Sequence, residues 1–368
     1  MQRIILLIGA LLLSGCVAFN PSFFKNGNIK ANYQFQQPDT SIPEFFNINR
    51  PPFNMEFKDD LDGQGAFLAR SFEFKSWFAS EYEKNNIIRG TLYIPNKKKA
   101  SDIFIILPGV AEDASAKFSA EALAEMGFYS VRIHSDFRPF PKVIINQALQ
   151  MPDAQSLIKF ATDFAKDATK AHIIDLMMLN DFLEASLKPR AFHVIGISLG
   201  GITSSLLVGI DSRVKSLMMN VSSAHIARIL MDSKMEDISQ LRVQLLEKFK
   251  LSYDEAYLLL KDKLEVVEPT TYAYRVDSRR ILMVSGLLDM IGFMFTAIPW
   301  SATRETWASY GYPHWIIFPL TDHITSFLSF LSPIWVEIPE VYHFPQVPFS
   351  GSYARHLFKH HFLPIALR

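Results

Sequence analysis

The segment that most constrains this chain is residues 196–200, which read Gly-Ile-Ser-Leu-Gly. It overlaps the end of an apolar run at 192–197, which predicts a buried strand, and it leads into small and apolar residues that predict a helix. A serine at such a strand-to-helix turn takes a strained backbone conformation, and the flanking glycines let strand and helix approach closely. The segment therefore predicts a nucleophile at Ser198, with Gly196 and Gly200 completing the nucleophile elbow.

A serine hydroxyl needs a base to take its proton, and the base needs an acid to orient it. Two later apolar runs, 281–284 and 315–319, predict strands, and a suitable residue follows each: Asp289 after the first and His323 after the second. Because the carboxyl ends of parallel strands meet at one edge of a sheet, these side chains are expected near Ser198. The predicted catalytic set is Ser198, Asp289 and His323.

Other residues compete weakly for these roles. Asp322 is the immediate neighbour of the predicted base, whereas Asp277 and His314 precede their strands and would lie at the wrong end of the sheet. His193 falls inside a strand pattern, which favours a packed core or edge residue over a ligand. These alternatives leave Asp289 and His323 as the preferred acid and base.

Two backbone N–H groups are expected to stabilise an oxyanion. One belongs to Leu199, the residue after the nucleophile, and the other to Val110, in the loop after the apolar run 103–107. That loop lacks a His-Gly start, so a plain strand-to-helix turn stays open as an alternative for Val110.

Apolar runs and helical patterns alternate along the chain, which predicts an α/β fold with a mostly parallel sheet and helices on both faces. A charged helical stretch at 226–264 interrupts this rhythm and predicts a helical cap insertion at about 226–275. The predicted strands are 72–75, 88–94, 103–107, 129–134, 192–197, 214–219, 281–284 and 315–319.

Between about residues 88 and 331, the chain resembles serine hydrolases of the α/β-hydrolase superfamily. The resemblance is carried by 107–110 (Leu-Pro-Gly-Val), 196–201 (Gly-Ile-Ser-Leu-Gly-Gly), 286–289 (Gly-Leu-Leu-Asp) and 322–323 (Asp-His). It implies an α/β-hydrolase fold with an eight-stranded sheet and a two-step acyl transfer. By the same resemblance, Ser198 attacks a carbonyl carbon, His323 relays the proton and Asp289 orients His323. No metal or organic cofactor is implied.

The first fifteen residues have the pattern of a secretory signal peptide, with Arg3 before an uncharged run at 4–13. Ten helical residues span about 15 Å, half of a bilayer core, which disfavours a membrane-spanning helix. Residues 13–16 (Leu-Ser-Gly-Cys) resemble the bacterial lipobox, which implies lipidation of Cys16, although a plain signal peptide stays open. Val17 after the cysteine favours the outer membrane, facing the periplasm.

The predicted organisation has four parts. They are a signal peptide (1–15), a lipidated tether with an N-terminal arm (16–52), a hydrolase domain (53–335) and a C-terminal extension (336–368). The extension holds four histidines without the acids and spacing of a metal site, so a basic, aromatic surface tail is expected there. These histidines are His343, His356, His360 and His361.

Composition excludes several classes of function. The 37 basic and 37 acidic side chains give no net charge, which argues against a nucleic-acid binder. A single cysteine excludes an internal disulfide framework. We expect a membrane-anchored serine hydrolase that cleaves a lipid or short acyl ester. An acyltransferase or peptidase with the same triad, and a non-catalytic envelope lipoprotein that keeps the fold, stay open as alternatives.

Overall fold

The computed structural model describes residues 40–51, 55–58, 65–78, 80, 87–109, 114–134, 142–286, 298–318, 355 and 357–368. Within this part of the chain, the strands are β1 (Glu56–Phe57), β2 (Phe67–Lys75), β3 (Ile87–Pro95), β4 (Ile103–Leu107), β5 (Tyr129–Ile133), β6 (Phe192–Ile197), β7 (Val214–Asn220), β8 (Ile281–Gly286) and β9 (His314–Phe318).

The α-helices of the same residues are α1 (Ala114–Glu125), α2 (Lys142–Leu149), α3 (Ala154–Leu187), α4 (Leu199–Ile210), α5 (Ile226–Asp232), α6 (Glu236–Val243), α7 (Tyr253–Leu264), α8 (Trp300–Ser309) and α9 (Leu363–Ala366). Single π-helical turns lie at Gln244–Lys248 and Phe358–Phe362. Short 3-10 segments lie at Glu44–Phe46, Glu265–Val267, Pro269–Arg275 and Ser278–Arg280.

All nine strands join one sheet in the order β1-β2-β3-β5-β4-β6-β7-β8-β9. The pairs from β4 to β9 are parallel, and the pairs among β1, β2, β3 and β5 are antiparallel. The eight predicted strands are present, and the two-residue β1 adds a ninth at the edge. The predicted mostly parallel α/β architecture is confirmed.

All five residues of strand β4 are apolar, because both faces of this strand are covered. Ile103, Ile105 and Leu107 pack into a core on one face of the sheet, where α3 and α4 lie. Phe104 and Ile106 pack into a second core on the other face, against α1. Because alternate side chains of a strand point to opposite faces, a strand covered on both sides needs apolar residues at every position.

Helix α3 is long for a globular protein. It has 34 residues between its two caps, which are Asp153, whose side chain accepts the Ser156 N–H at 2.8 Å, and the left-handed Lys188. At about 1.5 Å per residue it spans about 50 Å, so only part of it can lie on the sheet. Its second half packs on the sheet through Ile173 and Met177, and its first half contacts the cap. No helix among the described residues is both long and apolar enough to cross a membrane.

The predicted cap lies between β7 and β8 and contains α5, α6 and α7. A small apolar cluster joins α5 and α7 to the first half of α3, through Leu157, Ile158, Ala227, Met231 and Leu260. Helix α7 begins at a complete capping box, in which Ser252 and Glu255 satisfy each other's backbone N–H groups. The cap is therefore held by its own core beside the sheet.

The last residues of the chain are part of the second core. Phe358 and Phe362 are fully buried there, and the Phe362 ring lies 6.0 Å from that of Phe104. The start of the predicted C-terminal extension lies outside the described residues, but 357–368 cover one face of the sheet. His360 is exposed, and the His361 ring stacks on His314 at 6.1 Å.

Candidate active site

Ser198 stands between β6 and α4 in a strained conformation. Its backbone has φ 52° and ψ −119°, a region that L-residues rarely occupy outside functional sites. Two hydrogen bonds hold it there: the Ser198 N–H donates to the Asn220 carbonyl at 2.9 Å, and the Ser222 hydroxyl donates to the Ser198 carbonyl at 2.6 Å. The residue is 7 % exposed. The predicted nucleophile thus has the backbone geometry of an elbow.

The glycines around Ser198 are required by close backbone contacts. A Cβ atom on Gly196 would lie 2.3 Å from the Gly200 carbonyl oxygen. A Cβ atom on Gly200 would lie 2.3 Å from the Leu107 oxygen and 2.5 Å from the Pro108 oxygen. Backbone atoms cannot yield as a flexible side chain can, so glycine at 196 lets the start of α4 approach β6, and glycine at 200 lets it approach the end of β4.

The end of β7 supports the elbow from the other side. Val221 has φ 44°, an outlier for a β-branched residue, and its N–H donates to the Val284 carbonyl at 2.8 Å. This turn places the Ser222 hydroxyl within hydrogen-bond distance of the Ser198 carbonyl. The sequence reasoning missed Ser222, and its only signal is a small hydroxyl residue just after a strand that neighbours the elbow.

The first turn of α4 can stabilise a negative charge beside Ser198. Leu199 is the first helical residue, and N–H groups at this position have no acceptor within a helix. The positive end of the helix dipole adds to their effect. Gly109, in the loop after β4, lines the same cavity as Leu199. Val110, the second predicted donor, lies outside the described residues.

The predicted acid and base also lie outside the described residues, but the strands before them do not. Strand β8 ends at Gly286 and β9 ends at Phe318, three residues before Asp289 and five before His323. Strands β6, β7, β8 and β9 are consecutive in the sheet, so the two strand ends lie about 10 and 14 Å from the elbow at usual strand spacing. Five extended residues reach about 17 Å, which suffices for the longer of these distances.

Two of the rival residues lie at the opposite edge of the sheet. Asp277 precedes β8 and accepts hydrogen bonds from the Arg279 guanidinium, which holds the pKa of this carboxyl below its ordinary value. His314 is the first residue of β9, where burial lowers its pKa. Asp322 lies outside the described residues. Neither Asp277 nor His314 shares the edge on which Ser198 stands.

A cavity extends from the elbow towards α3. The elbow side is formed by Leu199, Gly200 and Thr203, and the α3 side by His172 and Asp175. Burial lowers the pKa of His172 to about 4, so its ring is neutral at pH 7. The Asp175 carboxylate accepts a hydrogen bond from the Ser76 hydroxyl at 2.8 Å. The cavity therefore combines apolar walls with a few polar groups, as small-molecule sites commonly do.

A second serine, histidine and aspartate meet near the amino edge of the sheet. His193 lies 2.8 Å from the Ser216 hydroxyl through Nδ1 and 3.2 Å from Asp102 through Nε2. Because a carboxylate only accepts, Nε2–H donates to Asp102, and Nδ1 accepts the Ser216 proton. All three are at most 1 % exposed, and His193 stacks on Phe104 at 4.7 Å. As the sequence pattern indicated, His193 is a core residue.

The charges of this cluster are compensated internally. Burial alone would raise the pKa of the Asp102 carboxyl, but hydrogen bonds from His193 and Arg190 outweigh burial and hold that pKa below its ordinary value. Burial lowers the pKa of His193, which stays neutral. We name Asp102, His193 and Ser216 the amino-edge cluster.

A further buried carboxylate, that of Glu268, connects the two ends of the cap by hydrogen bonds. Glu268, just before the cap's exit, accepts the N–H groups of Ile226 at 2.8 Å and Ala227 at 3.2 Å, at the start of α5. Burial outweighs these bonds and raises the pKa of Glu268 to about 7. His225 lies 3.7 Å from it and 3.1 Å from Glu305, and burial lowers the pKa of His225 to about 4. Sequence reasoning gave no hint of this contact, which joins residues about forty positions apart.

Comparisons with known proteins agree with this architecture. No protein-family model matches the chain, and no curated protein matches it. Among solved structures, an acetyl xylan esterase from Paenibacillus sp. R4 is similar with a TM-score of 0.53 and 15 % identity, over 74 % of this chain and 84 % of that one. Acetyl xylan esterase 1 from Thermoanaerobacterium sp. JW/SL YS485 gives a TM-score of 0.53 and 14 % identity, over 80 % and 91 % of the two chains.

The strand order, the elbow at the end of β6 and these two structures define the class of fold. The chain has the α/β-hydrolase fold, as the sequence predicted, with a helical cap inserted between β7 and β8.

Proposed function

We propose that this protein is a membrane-anchored serine hydrolase that cleaves carboxylic esters through an acyl-enzyme. The observation that carries the proposal is the strained Ser198 at the first turn of α4 and at the carboxyl edge of the parallel strands. Strain of this kind persists only where the surrounding structure enforces it, and here two glycines and Ser222 do so. That both structural neighbours are named as esterases is in line with an ester substrate.

The proposed reaction has two steps. His323 takes the proton of the Ser198 hydroxyl as its oxygen attacks the ester carbonyl carbon, while Asp289 orients His323. The N–H groups of Leu199 and Val110 stabilise the oxyanion, and the alcohol leaves with the proton from His323. Water, deprotonated by His323, then attacks the acyl-enzyme and releases the acid and the free serine.

Labelling with a fluorophosphonate probe tests the nucleophile. We expect the probe to label the wild type and Ser216→Ala, but not Ser198→Ala, because only Ser198 is activated. Ser216 is the matched control, since it also touches a histidine but is fully buried in β7. Equal labelling of Ser198→Ala and wild type would refute the assignment.

The anchor is tested separately through Cys16. The proposal places the lipid on this residue, so Cys16→Ser should abolish incorporation of radioactive palmitate and release the chain from the membrane fraction. Unchanged partitioning of Cys16→Ser would show that the lipobox assignment is wrong, and it would leave the assignment of Ser198 intact.

A further inference from the structure

The first half of α3 has two faces of different character. Leu157, Ala161 and Ala165 face the cap, where they line a small apolar cavity. At about 100° per residue, Phe160, Asp163 and the positions around them point to the opposite side of the helix. That opposite side forms one wall of a separate open groove.

The groove, which we call the arm groove, combines aromatic rings with lysines. Three lysines and two aspartates line it, and because Lys159 forms an ion pair with Asp163, the unbalanced positive charge lies towards Lys166 and Lys170. The Lys170 ammonium lies 4.6 Å from the ring centre of Phe45 and 5.3 Å from that of Phe78. Trp77, directly before Phe78, is 54 % exposed. The groove is lined by Phe45, Phe78, Met151, Ser156, Lys159, Phe160, Asp163, Lys166, Asp167 and Lys170.

Aromatic side chains with an adjacent excess of lysine are typical of protein surfaces that contact lipid headgroups. Tryptophan prefers the boundary between headgroups and acyl chains, and lysine stems extend their ammonium groups towards phosphates. The chemistry of the arm groove therefore fits an anionic lipid surface.

The arm groove lies where the chain arrives from its proposed anchor. The described chain begins at residue 40, and the arm is fixed to the domain by a hydrogen bond from Arg275 to the Ser41 carbonyl. Phe45, four residues later, is one wall of the groove. From Cys16 to residue 40 there are 24 residues, which span at most about 80 Å when extended. An acylated Cys16 would therefore keep residue 40, at the start of the described arm, within about 80 Å of the membrane.

The same helix connects the arm groove to the candidate active site. His172 and Asp175 line the cavity beside the elbow, whereas Lys159 and Lys166 line the groove. Between Lys159 and Asp175 the helix rises about 24 Å. A membrane or partner bound in the arm groove would therefore lie within about 24 Å of the elbow cavity, measured along α3.

We propose that the arm groove and Trp77 dock on an anionic lipid surface and present the carboxyl edge of the sheet to ester substrates in that surface. This inference rests on the proposed function, because it assigns a lipid ester to the same site. Docking orients a protein that the tether alone would leave free to rotate. The lysines contribute attraction to phosphate, and Trp77 contributes insertion.

Quenching of Trp77 tests the docking directly. The full acylated chain is placed in vesicles of phosphatidylcholine and phosphatidylglycerol whose acyl chains are brominated close to the headgroup. We expect the bromine to quench the part of the fluorescence that Trp77→Phe removes. The control reporter is Leu258→Trp in the Trp77→Phe background, because Leu258 is 61 % exposed on α7, across α3 from the groove. No quenching of the Trp77 share, or equal quenching at position 258, would overturn the proposal.

Charge reversal tests the consequence for turnover. We expect Lys166→Glu to lower hydrolysis of a vesicle-embedded lipid ester by about tenfold and to leave hydrolysis of a water-soluble acetyl ester unchanged. Lys263→Glu, on exposed α7, is the matched control and should change neither rate. Equal rates of Lys166→Glu and wild type on the lipid ester would contradict docking. If the wild type cleaves neither ester, the proposed function fails, whereas the quenching result still decides the docking.

Discussion

The two edges of the central sheet hold the same residue types in very different settings. At the amino edge, Asp102, His193 and Ser216 form a connected hydrogen-bonded chain that is closed off from solvent. At the carboxyl edge, Ser198 has a strained backbone, the positive end of α4 beside it and a cavity next to it. Ser216 lies within β7 and has none of these features.

The contrast shows that a serine, a histidine and an aspartate do not make a catalytic site by contact alone. The amino-edge cluster is hydrogen-bonded throughout, but its three side chains are closed off from solvent. In the proposed function, the reactivity of Ser198 comes from its strained backbone geometry, which neighbouring backbone atoms enforce, and from the adjacent end of α4. The following predictions test this contrast, from the largest effect to the smallest.

Replacement of the two serines should separate catalysis from stability. Ser198→Ala should lower turnover of a water-soluble ester by at least about 10³-fold, because the nucleophile is lost. Ser216→Ala should keep wild-type turnover per folded molecule and lose about 1 kcal/mol of unfolding free energy, the value of one hydrogen bond. Steady-state kinetics and urea denaturation measure the two effects. A large loss of turnover in Ser216→Ala would break the contrast.

The aspartate of the amino-edge cluster should act on stability alone. Asp102→Asn removes a buried charge that accepts from Arg190 and His193, and we expect a loss of about 3 kcal/mol in unfolding free energy. Turnover per folded molecule should not change. Urea denaturation followed by fluorescence gives the first value, and kinetics at a temperature where both proteins are folded gives the second. Asp277→Asn, at an exposed ion pair with Arg279, is a control with a loss below about 1 kcal/mol.

Glu268 should show the opposite pH behaviour from Asp102, because its partners do not offset burial. Its pKa rises from 4.5 unfolded to about 7 in the fold, so its stabilising effect is complete below pH 4.5 and is lost as pH rises through 7. Glu268→Gln does not ionise. The stability of this variant relative to wild type should therefore increase between pH 4.5 and 7, by up to about 3 kcal/mol.

This measurement uses the difference in unfolding free energy between Glu268→Gln and wild type, because His225 changes the stability of both proteins with pH in the opposite direction to Glu268. Its pKa falls to about 4 in the fold, so its contribution is present above pH 6.5 and is lost as pH falls towards 4. The two slopes oppose each other in the wild type, and subtraction isolates Glu268. Urea denaturation of both proteins at half-unit pH steps measures this difference in unfolding free energy. A difference that stays constant between pH 4.5 and 7 would contradict the raised pKa of Glu268.

Ser222 should have the smallest effect. Ser222→Ala removes the hydrogen bond to the Ser198 carbonyl, and we expect a loss of about 1 kcal/mol in stability together with a fall of about fivefold in kcat. Ser223→Ala, one residue further on and bonded to Thr306, is the matched control. It should lose similar stability without the fall in kcat. Equal kinetics of the two variants would show that Ser222 only stabilises the fold.

The sequence predicts those structural features whose physical cause lies within a short stretch of neighbouring residues. The apolar runs of β4 and β6 predict buried strands because these strands are covered on both faces, and residues 196–200 predict an elbow because glycine is required at fixed spacing. The helical cap follows from a change of periodicity at 226. In each case the constraint is local, so a short stretch of sequence records it.

Contacts between distant residues are not recorded in this way. Asp102 and His193 are 91 positions apart, and Glu268 meets the start of α5 across 42 positions. Their side chains have no periodic pattern, and only the strand order brings them together. The positive φ of Val221 was equally hidden, because valine usually signals an ordinary strand. Asp289, His323, Val110 and Cys16 stay predictions.

The placement of the final residues has a consequence for how the molecule is made. Phe358 and Phe362 cover the face of the sheet that Phe104 and Phe128 line, so this face stays uncovered in a nascent chain until residues 358–362 have been synthesised. A core that depends on contacts between residues far apart in the sequence forms slowly during folding. If the chain is exported, as the proposed signal peptide implies, this delay keeps it unfolded during transport and the core closes afterwards.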